Sequence, residues 1–494
     1  MTVAGPEFQF FIIFLYFCAQ IMEDRTKELG SGRIGRLLFA YALPAVISQV
    51  IASIYNIADR IFLGQGVDAM AIAGLAITMP IMNVIHAFGS LVGAGSSARM
   101  SIVLGKRDIA WAENILGNSL LLTFAFGALF LGVGYSFLDD ILGMFGASDL
   151  TLDYARTYML IVLPGMFFTT LTFNLTGLMR ASGYPMKSMY ILVSGAILNV
   201  ILDPVFIFVF KWGIAGAAWA TTISMFLTGI ASLLHFCSPK SFIRFRSHAW
   251  KPRLYIFKNI LMIGMSPFLM NLAASAVVAM LNTQLLRYGG RLSGVFGENA
   301  ADLAVGTYGI VNTFCSFMVM FMLGLCQGMQ PIAGYNYGAG HGDRLKSVYV
   351  KTMRFNIGVG ALAALLGLAM PRVLAAIFTN DSNMIDMTVP ALRLLLLFFP
   401  LVGFTITNSN FFQSIDKPFI AIITSLSRQV IFLLPMIYII PLIFERFSAP
   451  GLMGIWTACA ISDVLGAILA AILLSTQLNV FRKKSNFVEI YTQN

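Results

Sequence analysis

A chain of 494 residues that is 58% hydrophobic and only 11% charged has too little polar surface to enclose a soluble core of that size, and it reads as membrane-embedded. The net charge of +10 does not mark a nucleic-acid binder, because the Lys and Arg fall in short segments between apolar runs, where retention on the cytoplasmic side accounts for them. Five scattered cysteines and four histidines without ligand spacing argue against disulfide and metal chemistry, and without a G-x-x-x-x-G-K-[ST] motif the chain carries no nucleotide motor.

Residues 8–22, "FQFFIIFLYFCAQIM", are short for a span and lack both a basic leader and an A-x-A cleavage site. A basic stretch and a well-formed first helix follow, so residues 1–21 are expected to be dispensable, with synthesis starting at Met22. Crossing a hydrocarbon core of ~30 Å takes about 20 apolar residues. Stretches of that length predict twelve helices at 37–63, 71–103, 112–136, 154–178, 186–209, 213–235, 257–286, 302–335, 346–371, 387–412, 418–443 and 451–477. They are called helices 1 to 12 below.

Helix 1 carries Tyr55 and Asp59 on a polar face, with Asn56 close by. Arg60 can snorkel outward while Asp59, turned about 100° away, faces the bundle. Helix 2 holds Arg99 as a deep charge and His86, read as a packed core residue. Helix 5 reads "ILNVILDPVFIF". Asn199 and Asp203, four apart, share a face, and Pro204 cannot donate to the carbonyl of Val200. An amide, a carboxylate and an unpaired carbonyl within one turn suit a bare Na⁺, and a carboxylate in apolar surroundings equally suits a transported proton. Thr221 and Thr222 in helix 6 can add oxygens to that site.

The acidic loop "FLDDILGMFGASDLTLD" and Lys211, Arg287, Arg291, Arg372 and Arg446 fall on one side. The denser basic segments, including the linker "CSPKSFIRFRSHAWKPRLYIFK", fall on the other, which places both termini in the cytoplasm. In the second half, Asn282 stands at the repeat position of Asp59, and Asp463 in helix 12 reads equally as a functional acid or a structurally paired one. Arg393 is read as a second deep cation beside Arg99. Met329, Gln327, Gln330 and Asn408, with Tyr55 and Asn282, form a candidate lining for flat cationic ligands.

The halves repeat in order. Pro44 matches Pro267 at a spacing of 223, Gly105 matches Gly338 and Pro185 matches Pro418 at 233, and Gly213 and Gly216 match Gly451 and Gly454 at 238. The slips fall in loops of unequal length. The fold expected is therefore an all-α polytopic membrane protein of two pseudo-symmetric six-helix lobes with the substrate pathway between them. The predicted divisions are a cytoplasmic segment 1–36, an amino-terminal lobe 37–236, a basic linker 237–256, a carboxyl-terminal lobe 257–477 and a cytoplasmic tail 478–494.

With these anchors and acids in hand, the segments "YNIADRIFLG", "LGKRD", "LNVILDPVFIF", "GIAGAAWATTIS" and "GMQPIAGYNYGAG" resemble the multidrug and toxic compound extrusion (MATE) family across residues 30–480, in its bacterial multidrug-resistance branch. The resemblance implies alternating access and export of small amphipathic organic cations in exchange for Na⁺ or H⁺, by a monomer in the bacterial inner membrane, without ATP, enzymatic activity or a cofactor. Asp59, Asn199 and Asp203 fall on the family's cation-site pattern, so no metal beyond a coupling Na⁺ is expected. Unlike members with acids in helices 7 and 10, this chain has Asn282 and no acid there. A flippase of lipid-linked substrates shares the architecture but usually carries a strongly basic cavity, and a major-facilitator transporter usually carries a 2–3 loop motif absent from "LGKRDIAWAEN".

Overall fold

The computed structural model describes residues 26–67, 69–148, 150–239, 241–447 and 450–481. The expected appendage at residues 1–21 lies outside them. Helices 1 to 4 run over Ile34–Gly66, Ala69–Gly105, Ile109–Ser136 and Leu152–Ala181. Helix 5 is Pro185–Pro204, continued by a π-helical turn Val205–Val209, and helix 6 is Gly213–Cys237. Helices 7, 8 and 9 are Leu254–Gly290, Ala300–Gly338 and Gly342–Ala369.

Helix 10 departs from the continuous span expected at 387–412. It is two segments, Ser382–Leu397 and Phe399–Ser414, meeting at 48°. Pro400 at the start of the second segment has no N–H to continue the ladder, which fixes the break. Helix 11 is Pro418–Leu426, a π-helical turn Ser427–Leu433 and Leu434–Arg446, and helix 12 is Gly451–Thr476. Among the described residues, eleven helices are long and apolar enough to cross a membrane, or twelve with the bent pair counted as one. The chain is an all-α, multi-span membrane protein.

Two compact units result. The first comprises residues up to Phe268 together with Gln330–Ala339, and the second Leu269–Met329 with the chain from Gly340 onward. In the first, helix 4 is the central pillar, packed along helices 2 and 6, while helix 5 lies against helices 1 and 6. A buried polar knot ties helices 2, 3 and 4: Ser96 donates to Asn174 Oδ1 at 2.7 Å, and Asn174 Nδ2 donates to Ser119 and Thr123, each at 3.1 Å. Hydrogen bonds among helices hold better than apolar contact here, because lipid chains are as apolar as leucine.

The same unit takes in the start of helix 7 and the end of helix 8, up to the neighbourhood of their prolines Pro267 and Pro331. Gly95 and Gly264 each lie against the facing backbone, at Ile260 and Leu91, and Gly105 and Gly338 do likewise at Tyr335 and Ile102. A Cβ at any of the four would overlap a main-chain carbonyl, which cannot rotate away as a side chain can.

In the second unit helix 9 packs on the second segment of helix 10, and helix 11 on helix 12. Its core joins Met318, Met322, Leu396, Phe399 and Trp456. Asn356 Nδ2 donates to Thr407 at 2.8 Å and to Cys326 Sγ at 3.3 Å, tying helices 9, 10 and 8.

Candidate ion-coupling site

Four helices of the first unit converge on Asp203. Pro204 removes the N–H that would answer the Val200 carbonyl, and the backbone beyond it relaxes into the π turn, closed by Phe210 N–H donating to Val205 O at 3.0 Å. Single π turns commonly accompany functional sites because they shift the register of side chains. Helix 6 comes close to this turn at Gly216, where an added Cβ would sit 2.9 Å from Phe206. That approach delivers Thr221 to the site.

The geometry is oxygen-rich. Asn199 Nδ2 donates to Asp203 Oδ1 at 3.4 Å and to Thr221 Oγ1 at 3.3 Å. Asp203 is completely buried, and Asn199 and Thr221 nearly so. The other oxygens of the pair, Asn199 Oδ1 and Asp203 Oδ2, are buried without a hydrogen-bond partner. Buried polar atoms are rarely left unanswered, and two orphan acceptors on side chains in contact with each other are open to a bound cation. Asp59 of helix 1 lies within electrostatic reach of Asp203. Two carboxylates within electrostatic reach of each other in apolar surroundings repel, so the site gains from a single positive charge, whether a proton or a bare Na⁺. Among the described residues no cluster of three or more His, Cys, Asp or Glu could hold a metal.

Tyr158 of helix 4 was not picked out from the sequence, yet its hydroxyl sits against Thr221 and within electrostatic reach of Asp59, Asp203 and Tyr55. Its ring belongs to the unit's apolar core. A tyrosine in an apolar helix carries no sequence signal beyond packing, and only the convergence of helices 1, 4, 5 and 6 reveals its place.

The remaining expectations fare unevenly. Thr222 does not face the site; it donates to the Ile161 carbonyl at 2.9 Å. Arg99 is buried, whereas the side chain of Arg393 is exposed, and so is that of His86, which was expected to be packed. In the second unit the half-buried Arg428 pairs with Asp463.

Of the ligand-lining candidates, Tyr55 belongs to the cluster just described. Gln330 is grouped with the first unit and is nearly buried, while Gln327 and Asn282 of the second are half-buried, Asn282 with an unanswered Oδ1. Met329 is fully enclosed. Asn408 is likewise enclosed, accepting from the Tyr349 hydroxyl at 3.0 Å and donating to the Phe404 carbonyl at 2.9 Å. Neither is open to a ligand in this structure.

Comparison with known proteins agrees with this architecture. The chain is 26% identical over 453 residues to the multidrug export protein MepA of Staphylococcus aureus, covering 92% of this chain and 96% of that protein. It is 25% identical over 475 residues to MepA of Staphylococcus haemolyticus, covering 95% and 99%. Its fold matches a MOP superfamily transporter from Pyrococcus furiosus with a TM-score of 0.84 at 23% identity, over 94% of this chain and 100% of that one. The outward-facing structure of a multidrug-resistance MATE family transporter matches equally well, with a TM-score of 0.84 at 23% identity over the same shares. The MatE family model matches residues 44–205 and 292–439, one segment in each half of the internal repeat, and the chain belongs to the MatE family of multidrug and toxic compound extrusion transporters.

Proposed function

We propose that this protein is a secondary antiporter that exports small amphipathic organic cations in exchange for Na⁺ or H⁺ by alternating access. The observation that carries the reading is the buried pair of unanswered oxygens, Asn199 Oδ1 and Asp203 Oδ2, within reach of a second carboxylate. Such a site has a use for a transported cation and none for a packed helix junction. The similarity to proteins named for multidrug export supports the substrate class. The positive-inside pattern supports an inner-membrane protein with both termini in the cytoplasm, and one chain holds a complete site, which supports a monomer without ATP.

The roles follow from position. Asp203 and Asp59 hold the coupling ion, Asn199 and Thr221 complete its oxygen shell, and Tyr158 joins the shell to helix 4. Inverted vesicles loaded with an organic-cation dye outside test the reading. Uptake is expected under a Na⁺ gradient alone or a proton gradient alone, and should vanish in Asp203→Asn. Dye uptake that ignores both gradients would overturn it.

A further inference from the structure

The second unit contains a charged pair to which the coupling chemistry gives no task. Arg428 Nη1 of helix 11 lies 3.1 Å from Asp463 Oδ1 of helix 12; the Asp463 side chain is 7% exposed and that of Arg428 27%. Arg428 stands in the π turn Ser427–Leu433, and Gly466, three residues beyond Asp463, lies under it, where a Cβ would be 3.1 Å from Arg428 Cβ. Tyr308 and Cys315 of helix 8 and Cys459, one turn before Asp463, lie within electrostatic reach of the arginine, and the two thiols also of the carboxylate.

Packing does not account for this pair, because an ion pair in an apolar interior is seldom better for stability than apolar residues of the same volume. The protein contains its own control. At the repeat spacings of 233 and 238, Arg428 corresponds to Gly195 and Gly466 to Thr228. Gly195 and Thr228 meet at the matching crossing of helices 5 and 6. One crossing closes with a glycine and a methyl group, the other with a guanidinium beside a carboxylate. Cys459, by the same spacing, stands where the coupling site has Thr221.

We propose that Arg428 and Asp463 form a binding element for zwitterionic substrates, in which Arg428 takes the carboxylate and Asp463 the cationic group. This rests on the efflux reading above and names a class within its substrate range. The electrostatics select it. The pair is neutral, so a lone cation loses to Arg428 what it gains from Asp463. A zwitterion answers both charges and leaves the unit neutral. The guanidinium has five N–H donors in a planar fork and Asp463 engages one nitrogen, so the partly exposed remainder can meet a carboxylate in two parallel hydrogen bonds.

The test uses the full-length purified protein and two forms of one xanthene dye, the free benzoic acid, which is zwitterionic, and its methyl ester, which is only cationic. Equilibrium binding by fluorescence polarisation should favour the acid by about tenfold, the effect of one well-placed charged contact. Arg428→Gln should abolish that preference, weakening the acid and, because Asp463 is then unanswered, strengthening the ester. Should Arg428→Gln not fold, Arg428→Lys keeps the charge and lowers the preference severalfold by losing the fork. An acid-to-ester ratio unchanged in the variant that folds would overturn the proposal. Ester export from vesicles is measured alongside. If the ester is exported and the ratio is unmoved, only this inference fails, whereas loss of ion-driven ester export in the native protein overturns the efflux reading itself.

Discussion

Asp203→Asn keeps the size of the side chain and its contact with Asn199, which lies at 3.4 Å, but removes the charge that a proton or Na⁺ would answer. Gradient-driven export should fall by at least about tenfold, since a lost charge in a desolvated site outweighs one hydrogen bond, while the yield and elution volume of purified protein stay native. Asp59→Asn should behave alike, and Asp463→Asn, whose charge is already answered by Arg428, should reduce export of a simple cation much less. Tyr158→Phe separates shell from charge: it removes one hydroxyl and should lower export several-fold without abolishing it. Equal losses in Tyr158→Phe and Asp203→Asn would show that the hydroxyl is no mere supplement. Asp203 and Asn199 were legible in the sequence because a carboxylate in an apolar run is costly and a spacing of four defines a face. Tyr158 was not, and neither was Arg428, which stands ten residues beyond Pro418 in helix 11, with no acid among residues 418–438 to mark it as one of a pair. Which acid meets which base is a matter of how helices 11 and 12 cross, and no periodicity within either helix states it.

Between elements, the repeat seen in sequence has a three-dimensional counterpart that the sequence did not announce. Asn174 of helix 4 donates to Thr123 of helix 3; at the spacing of 233, the corresponding residues are Thr407 of helix 10 and Asn356 of helix 9, where Asn356 donates to Thr407. The amide and the hydroxyl have changed helices and the bond remains. Asn174→Ala would remove the interhelical bonds of Ser96, Ser119 and Thr123 and leave each only a carbonyl of its own helix, and Asn356→Ala would do the same to Thr407. Each should cost about 1–3 kcal/mol, read as a drop in melting temperature in detergent. The linker has a comparable anchor. Glu113, nearly buried in helix 3, meets Arg246 at 3.0 Å and His248 at 3.3 Å. Asn118, one turn on, accepts from Arg253 N–H at 2.8 Å and donates to the Lys251 carbonyl at 3.1 Å. The sequence showed the linker as a basic, polar interruption, but not that helix 3 holds it in place. The glycine contacts give a further contrast at this scale. Gly264→Ala and Gly338→Ala each press a methyl into a facing carbonyl and should lower the melting temperature, by the 1–3 kcal/mol typical of overpacking. Gly132→Ala in helix 3, where nothing lies within 4 Å, should leave it unchanged or slightly raised.

For the whole molecule, the proposed exchange requires ion and substrate to answer to the same few charges. The first unit offers two acids in mutual electrostatic reach and two orphan oxygens, a site of excess negative charge in low dielectric that cannot hold two uncompensated cations cheaply. In the proposed cycle the arriving ion would offset one of the two charges on Asp59 and Asp203, at a place where the hydrogen-bond ladder of helix 5 is already interrupted at Pro204 and rewoven through the π turn. A change of packing at that turn is how ion occupancy would reach a cationic ligand and lower its affinity. Linkage then requires the converse, that bound substrate weakens ion binding by the same factor. Dye binding to the purified protein, measured across pH at fixed Na⁺ and across Na⁺ at fixed pH, should weaken as the coupling ion rises. It should flatten in Asp203→Asn, which removes one of the two carboxylates the ion would answer and leaves only Asp59. With a coupling free energy of the usual ~1–3 kcal/mol, the native shift in dissociation constant is about 5–150-fold, well within reach of a titration. A native profile independent of both ions would mean that ion and substrate do not share a free-energy cycle, and exchange would be excluded whatever the site contains.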